Sequence, residues 1–348
     1  MEETTNYELS ICHPTVMMPA DATAEEVLDV SAVEIQPDNI PHPHFIESNT
    51  SGITLEELKR TCIVPSFRDN TLTISHQAFA ESVLGAALDY FNGETFGELE
   101  CRVSHPINGR IPSALHKPAH LLTDEEKTLF YQRFAFCFEL TSMAKSIDGQ
   151  PVCLTIGGVR AYNEQNLYAN KGPEKLKIFI GYRVRVCSNL MLTCDGLQDR
   201  LEVMSSIDCY KSALDLFTAF DPESNFNMLE NLVHTRMSTQ EFCNIIGRMR
   251  LYQALPARTR QELELPEILL GDSQINAATR EFVGNENFGA NGDDSISCWQ
   301  FLQCLNESSK SSYIDTFLTK NRNCVDVAAG IQKAIEGRDT ENYSWFLS

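Results

Sequence analysis

Lysine and arginine are absent from the first 58 residues, which hold twelve Asp and Glu and so carry −12 of the net charge of −20. Such a stretch repels polyphosphate and anionic membrane surfaces and suits a basic partner instead. Its first residues, MEETTNYELSICHPTVMMPA, show no basic segment followed by a continuous apolar core, so no secretory leader is expected. No run approaches the ~18 apolar residues a membrane span needs, so no membrane role is expected. The commonest catalytic signatures are missing as well. The chain has no glycine loop ending in Lys-Ser/Thr, no Gly-x-Gly-x-x-Gly, no Gly-x-Ser-x-Gly, no His-Glu-x-x-His and no Cys-x-x-Cys. Together these absences remove the familiar nucleotide-binding, hydrolytic and zinc chemistries, and leave only unfamiliar ones open.

What is present is ordinary globular material. The 348 residues are 43% hydrophobic and 22% charged, enough to bury a sizeable core. Between Glu100 and Arg185 twelve bases face eight acids, a local +4, so the acidic total does not exclude a local anion site. Of twelve cysteines, Cys137, Cys187, Cys209 and Cys243 sit in apolar patterns, where free thiols behave as small hydrophobes. The expectation is a reduced, cytoplasmic protein.

Three regions follow from the pattern. Residues 1–53 are acidic and proline-bearing without a sustained period, and read as a partly disordered arm with at most one short element over 27–35. Residues 54–200 read as strand-rich. A strand pair is expected at 61–65 and 71–75 around the turn RDN. A helix is expected over 76–91, with Phe79, Val83, Leu84, Ala87, Leu88 and Phe91 on one stripe and a stop at Asn92-Gly93. Strands are expected at 133–141, 152–160 and 175–194, with Gly157-Gly158 marking a bulge or a close approach. Residues 201–348 read as helical, with helices at 207–220, 225–235, 238–254, 258–270, 273–284, 295–307, 309–319 and 325–336. Ser238 and Glu241 form a capping box ahead of a stripe of Phe242, Ile245, Ile246, Met249 and Tyr252. The fold class is α+β, a mainly antiparallel sheet followed by helices.

The stretch FIGYRVRVCSN (179–189) carries the most suggestive chemistry. Strand alternation puts Lys177, Phe179, Gly181, Arg183, Arg185 and Cys187 on one side, and Ile178, Ile180, Tyr182, Val184 and Val186 on the other, the core side. Arg160, ending the preceding strand, joins the basic side if the two strands form a hairpin. Guanidiniums interleaved with an aromatic are one way to hold single-stranded nucleic acid, so Arg160, Lys177, Phe179, Arg183, Arg185 and Asn189 form a candidate ligand face. The plainer alternative is a solvated face with the arginines paired to Glu139 or Glu164. A second candidate cluster is His105, Arg110 and Asn163, placed with Asn189 if the loop over 104–122 folds into a cleft. Other groupings read as structural. Pro118 disfavours metal ligation by His116 and His120. His42 and His44 lack further ligands. Loop 284–295 lacks the order of a calcium loop, and Asp294 or Ser295 is expected to cap the next helix. Asp199, Glu202, Asp208 and Asp272 read as caps. Arg236, Arg248, Arg250, Arg258 and Arg260 read as surface. No cofactor and no metal are expected.

Several stretches together are familiar. SHPINGRIPSALHKPAHLLTDEEKTLFYQRFAFCFEL, LTIGGVRAYNEQNLY, FIGYRVRVCSNLMLTCDG, FCNIIGRMRLYQALP, LLGDSQINAATREF and KSSYIDTFL resemble, over about 54–348, a bacterial family described only as a domain of unknown function, DUF3871. Val184-Arg-Val-Cys187-Ser-Asn189 also resembles, over this short block alone, the phage- and plasmid-associated DUF932 family. The resemblance implies carriage on mobile elements, and no catalytic residues come with it. Three readings follow. The first is a non-enzymatic accessory protein of a mobile element that binds single-stranded nucleic acid on the arginine face. The second is a protein–protein module that takes a basic partner through the acidic arm. The third is an enzyme of unfamiliar type.

Overall fold

Large side chains alternating with small ones, as in FAFCFEL, build strands whose two sides have different partners. The computed structural model describes residues 43–61, 64, 73–165 and 172–348. Its first half contains β1 (Thr50–Gly52), α1 (Leu55–Thr61), α2 (His76–Tyr90), β2 (Glu100–Ser104), β3 (Ile107–Arg110), β4 (Lys127–Tyr131), β5 (Phe134–Ile147), β6 (Gln150–Arg160), β7 (Glu174–Val184), β8 (Leu190–Met191) and β9 (Leu197–Val203). Its second half contains α3 (Ser206–Ala219), α4 (Pro222–Asn231), β10 (Arg236–Ser238), α5 (Thr239–Ala254), α6 (Ala257–Glu262), α7 (Asp272–Gly284), β11 (Ser295–Ser297), α8 (Cys298–Ser309) and α9 (Ile314–Ile335). This is the α+β class: an antiparallel sheet, then helices. The expected element over 27–35 lies outside the described residues, as does half of the strand pair at 61–65 and 71–75, whose first residue, Thr61, ends α1 instead.

The main sheet runs β1-β2-β5-β6-β7-β8, and β9 shares the outer edge of β7. Asp148 and Gly149, both with positive φ (52° and 74°), turn β5 into β6, the residue pair that a tight two-residue hairpin turn favours. One face carries Phe134, Phe136, Phe138, Leu154, Ile156, Ile178, Ile180 and Tyr182, all within the principal core, together with Phe79, Val83 and Ala87 of α2 and Cys209, Ala213 and Phe217 of α3. Gly157 and Gly158 are close approaches, and β5–β6 pairing is continuous past them. A Cβ on Gly157 would stand 2.1 Å from the Phe136 carbonyl oxygen, and one on Gly158 2.6 Å from the Phe79 ring.

The opposite face is covered too. Ala135, Cys137, Val159 and Phe179 cluster there with Phe45 and Ile46 from the entering chain and with Ile314, Phe317 and Leu318 of α9. The folded body thus starts at Pro43, ahead of the boundary expected at 54.

The helical half departs from expectation at some starts and at some ends alike. Ser238 and Glu241 close the capping box of α5, and Ser297, two or three residues later than the expected Ser295 or Asp294, caps α8. In α2, Leu88 is half exposed and Ala80 and Ala86 are buried in its place. The helix expected over 258–270 stops at Glu262, since Glu264 takes positive φ (48°) and Pro266 follows. The helices expected at 309–319 and 325–336 are one, α9. Its polar middle does not break it because Asn321 and Asn323 are buried and hydrogen-bonded.

Candidate functional site

The arginine-bearing face is an interior face, which corrects the expectation of an open basic surface. Arg160 is fully buried and pairs with buried Glu174, while its guanidinium also donates to the Ile74 carbonyl. Glu174 accepts in turn from the Ile74 amide at 3.1 Å, and the Arg160 guanidinium lies 4.7 Å from the centre of the Tyr162 ring. This pair sits on the α2 side of the sheet, so Arg160 does not join Arg183. Lys177 meets Glu164 at 3.1 Å. Arg183, 9% exposed, donates to Glu100 at 2.9 Å and to the Ser188 hydroxyl at 2.7 Å. Phe179 is core and offers no stacking platform. Only Arg185 is half exposed, and its Nε is 3.3 Å from Glu139. Val186, expected inside, is 48% exposed because β7 ends at Val184 and the chain turns through Ser188 at positive φ (61°). A cation that leaves water must find a carboxylate, and these have done so.

Asn189 is a buried structural amide. Its Nδ2 donates to the Gln303 side chain at 3.1 Å and to the Gln303 carbonyl at 3.2 Å. Beside it, Asn321 of α9 accepts from the Leu192 amide at 3.1 Å and donates to the Leu190 carbonyl at 2.5 Å. The Lys310 ammonium donates to the Cys187 carbonyl. The segment Cys187–Leu192 therefore latches the sheet edge to α8 and α9. Burial pushes the Cys187 thiol up to about 11 and Cys101 up to about 12, so neither is a ready nucleophile.

The second cluster does not form one cleft. Arg110 donates to the carbonyls of Leu115 and Lys117 in its own loop, at 3.3 and 2.5 Å. His105 and Asn163 are exposed. Asn163 borders a cavity of about 10 Å³ beside Lys177 and Asp199, room for about one water, and neither His105 nor Arg110 lines it. Among the described residues, no three His, Cys, Asp or Glu side chains stand together so as to hold a metal ion, and no helix is long and apolar enough to cross a membrane.

Two features escape the sequence reading. One is a strap. Between Pro43 and Gly52 the chain inserts Phe45 and Ile46, ties His44 to Glu100 at 3.1 Å, and pairs β1 with β2. Arg102 Nε donates to the Thr50 hydroxyl at 2.8 Å, and the Glu47 amide to the Lys310 carbonyl at 3.0 Å. The other is a groove of about 550 Å³ between α4 and α9, bordered by Asn227, Asn231, His234, Gln332, Lys333 and Arg338. Its signal was present: Ser224, Asn227, Met228 and Asn231, and Ala329, Gln332, Lys333 and Glu336, each fall on one helical stripe.

No curated protein and no solved structure matches the chain. The model of the family described as "Domain of unknown function, B. Theta Gene description (DUF3871)" matches residues 27–347, nearly the whole strand-rich and helical body together with the end of the acidic region. The chain belongs to the DUF3871 family.

Proposed function

We propose that the protein is a non-catalytic accessory protein, of the kind mobile elements carry, that takes a basic protein partner through its acidic N-terminal region. The observation that carries this reading is the charge partition: residues 1–58 hold twelve acids and no Lys or Arg, while the remaining residues hold 36 acids against 28 bases. A one-signed segment raises encounter rates with an oppositely charged partner and loses that effect as salt screens it. The strap supports the reading, because the acidic stretch leads into a chain held to the body by Phe45 and Ile46. Single-stranded nucleic acid is a poorer fit, since Arg160, Lys177 and Arg183 are spent on Glu174, Glu164 and Glu100. The test compares the full chain with Pro43–Ser348, each used as bait in an extract of the producing cell at low and high salt. Basic proteins held by the full chain alone, and released by salt, are the expected result. The same partners on both baits would remove the acidic region from the mechanism.

A further inference from the structure

We infer that the groove between α4 and α9 is a binding site for a small polar anion, a molecule bearing a phosphate or carboxylate group. Two helices with apolar facing stripes would close on each other at an interaxial distance of about 8–10 Å. Here the facing stripes offer little to bury. On α4, Ser224, Asn227 and Asn231 accompany Met228; on α9, Gln332 and Lys333 accompany Ala329, with Glu336 at its C-cap. The space between them, about 550 Å³, lies in the range that holds metabolite- to drug-sized ligands.

The floor of the groove is already ordered. Gln332 Nε2 donates to the Asn231 carbonyl at 3.0 Å and to the Thr235 hydroxyl at 3.2 Å. Glu336 accepts from Gln332 at 3.2 Å and also from the Thr235 hydroxyl and the Arg338 guanidinium. The one carboxylate of the groove is thus satisfied within the protein, with Arg338 as its counter-ion. What remains faces the opening. Among the described residues, the side chains of Ser224, Asn227, Asn231, His234 and Lys333 have no hydrogen bond or ion pair inside the protein. Lys333 supplies a cationic donor and the His234 ring a second polar partner, and the two amides and the hydroxyl can read a polar ligand body. Among the described residues, the Lys333 ammonium makes no ion pair at contact distance, and its charge neighbour Asp326 lies in the adjoining groove, not in this one.

The neighbouring groove shows why the sign of the ligand follows. It shares Lys333 but is bordered by Glu267, Asp326 and Glu341 against Arg322, and is about 290 Å³. Arg322 is 3.8 Å from Asp326, and burial pushes the Asp326 carboxyl up. Acids outnumber bases there, so an anion entering beside Lys333 is favoured on the His234 side.

Thermal unfolding of the full chain tests the site, with inorganic phosphate and citrate as separate probes and sodium chloride at matched ionic strength as the reference. A saturable rise in Tm, on the order of 1–3 °C at tenfold over the dissociation constant, is expected with at least one probe. A response to only one of the two supports the site and assigns its anion. Lys333→Met with His234→Gln should abolish the rise while leaving the anion-free Tm near that of the parent, because both side chains are exposed. Glu341→Gln, in the neighbouring groove, should keep it. No rise beyond chloride with either probe, or an equal rise in the double variant, would overturn the site.

Discussion

Arg160 and Glu174 are oppositely charged side chains in the interior, 0% and 4% exposed, and their partnership is strict. Removing one partner strands the other away from water. Glu174→Gln should therefore destabilise the protein by about 3–5 kcal/mol, read as a lower urea midpoint at unchanged slope. A loss below ~1 kcal/mol would show that water reaches the cation. Beside the pair lies His76, fully buried, donating from Nε2 to the Gln132 carbonyl at 2.9 Å and stacked 4.9 Å from Phe134. Burial first, and the Arg160 cation second, push its imidazole down to about 3, against the opposing hydrogen bond. Below its unfolded value near 6.5, the unfolded chain takes up a proton that the native chain refuses. Stability therefore falls as the pH drops from 6.5 toward 3, by roughly 2 kcal/mol between pH 6.5 and pH 5. Urea unfolding of His76→Phe at pH 7 and pH 5 should show that difference gone, whatever the variant's baseline. An unchanged difference would assign the acid sensitivity elsewhere. Neither the buried pair nor His76 was legible in the sequence. Alternation states which side of a strand a residue takes, but not whether a second layer covers that side. That gap is why Arg183 was expected in water.

Elements were legible where local chemistry decides them. The Ser238–Glu241 box and the glycine pair of β6 are local, and the structure keeps both; β5 is a strand as its alternation predicts, but it is buried on both sides over 134–138 and not on one. The unity of α9 is not local. Its middle, TKNRNC, reads as a break because two asparagines and two bases interrupt the apolar stripe. The structure uses that polarity: Asn321 serves the buried backbone groups of Leu190 and Leu192 at the short strand β8, and Asn323 Oδ1 and Nδ2 meet the Leu269 amide and the Glu267 carbonyl, both at 2.8 Å. An isosteric apolar residue at 321 would help the helix and harm the protein. Asn321→Leu raises helix propensity, yet it leaves the Leu192 amide without that partner in a buried setting. A net loss of about 2–4 kcal/mol is expected, again as a shift in urea midpoint. A neutral or stabilised variant would mean that β8 is held by β7 alone.

For the molecule as a whole, the charge partition was plain in the sequence, but the point where the acidic region becomes part of the body was not. Phe45 and Ile46 look like two isolated hydrophobes among prolines. They are core only because Phe317 and Leu318, far along the chain, arrive over the same face of the sheet. The two possible truncations therefore differ sharply. Starting the chain at Pro43 removes nine acids and no base, taking the net charge from −20 to −11, and breaks none of the contacts described in the body. It should leave the urea midpoint close to that of the full chain. Starting at Thr54 also removes two fully buried side chains, the His44–Glu100 contact and the β1–β2 pairing. Losing a buried Phe alone costs about 3–5 kcal/mol, so this shorter chain should unfold at a much lower midpoint or fail to accumulate. Equal stability of the two truncations would mean that the strap adds nothing to the body. In that case the acidic region would have no rigid anchor from which to present its charge.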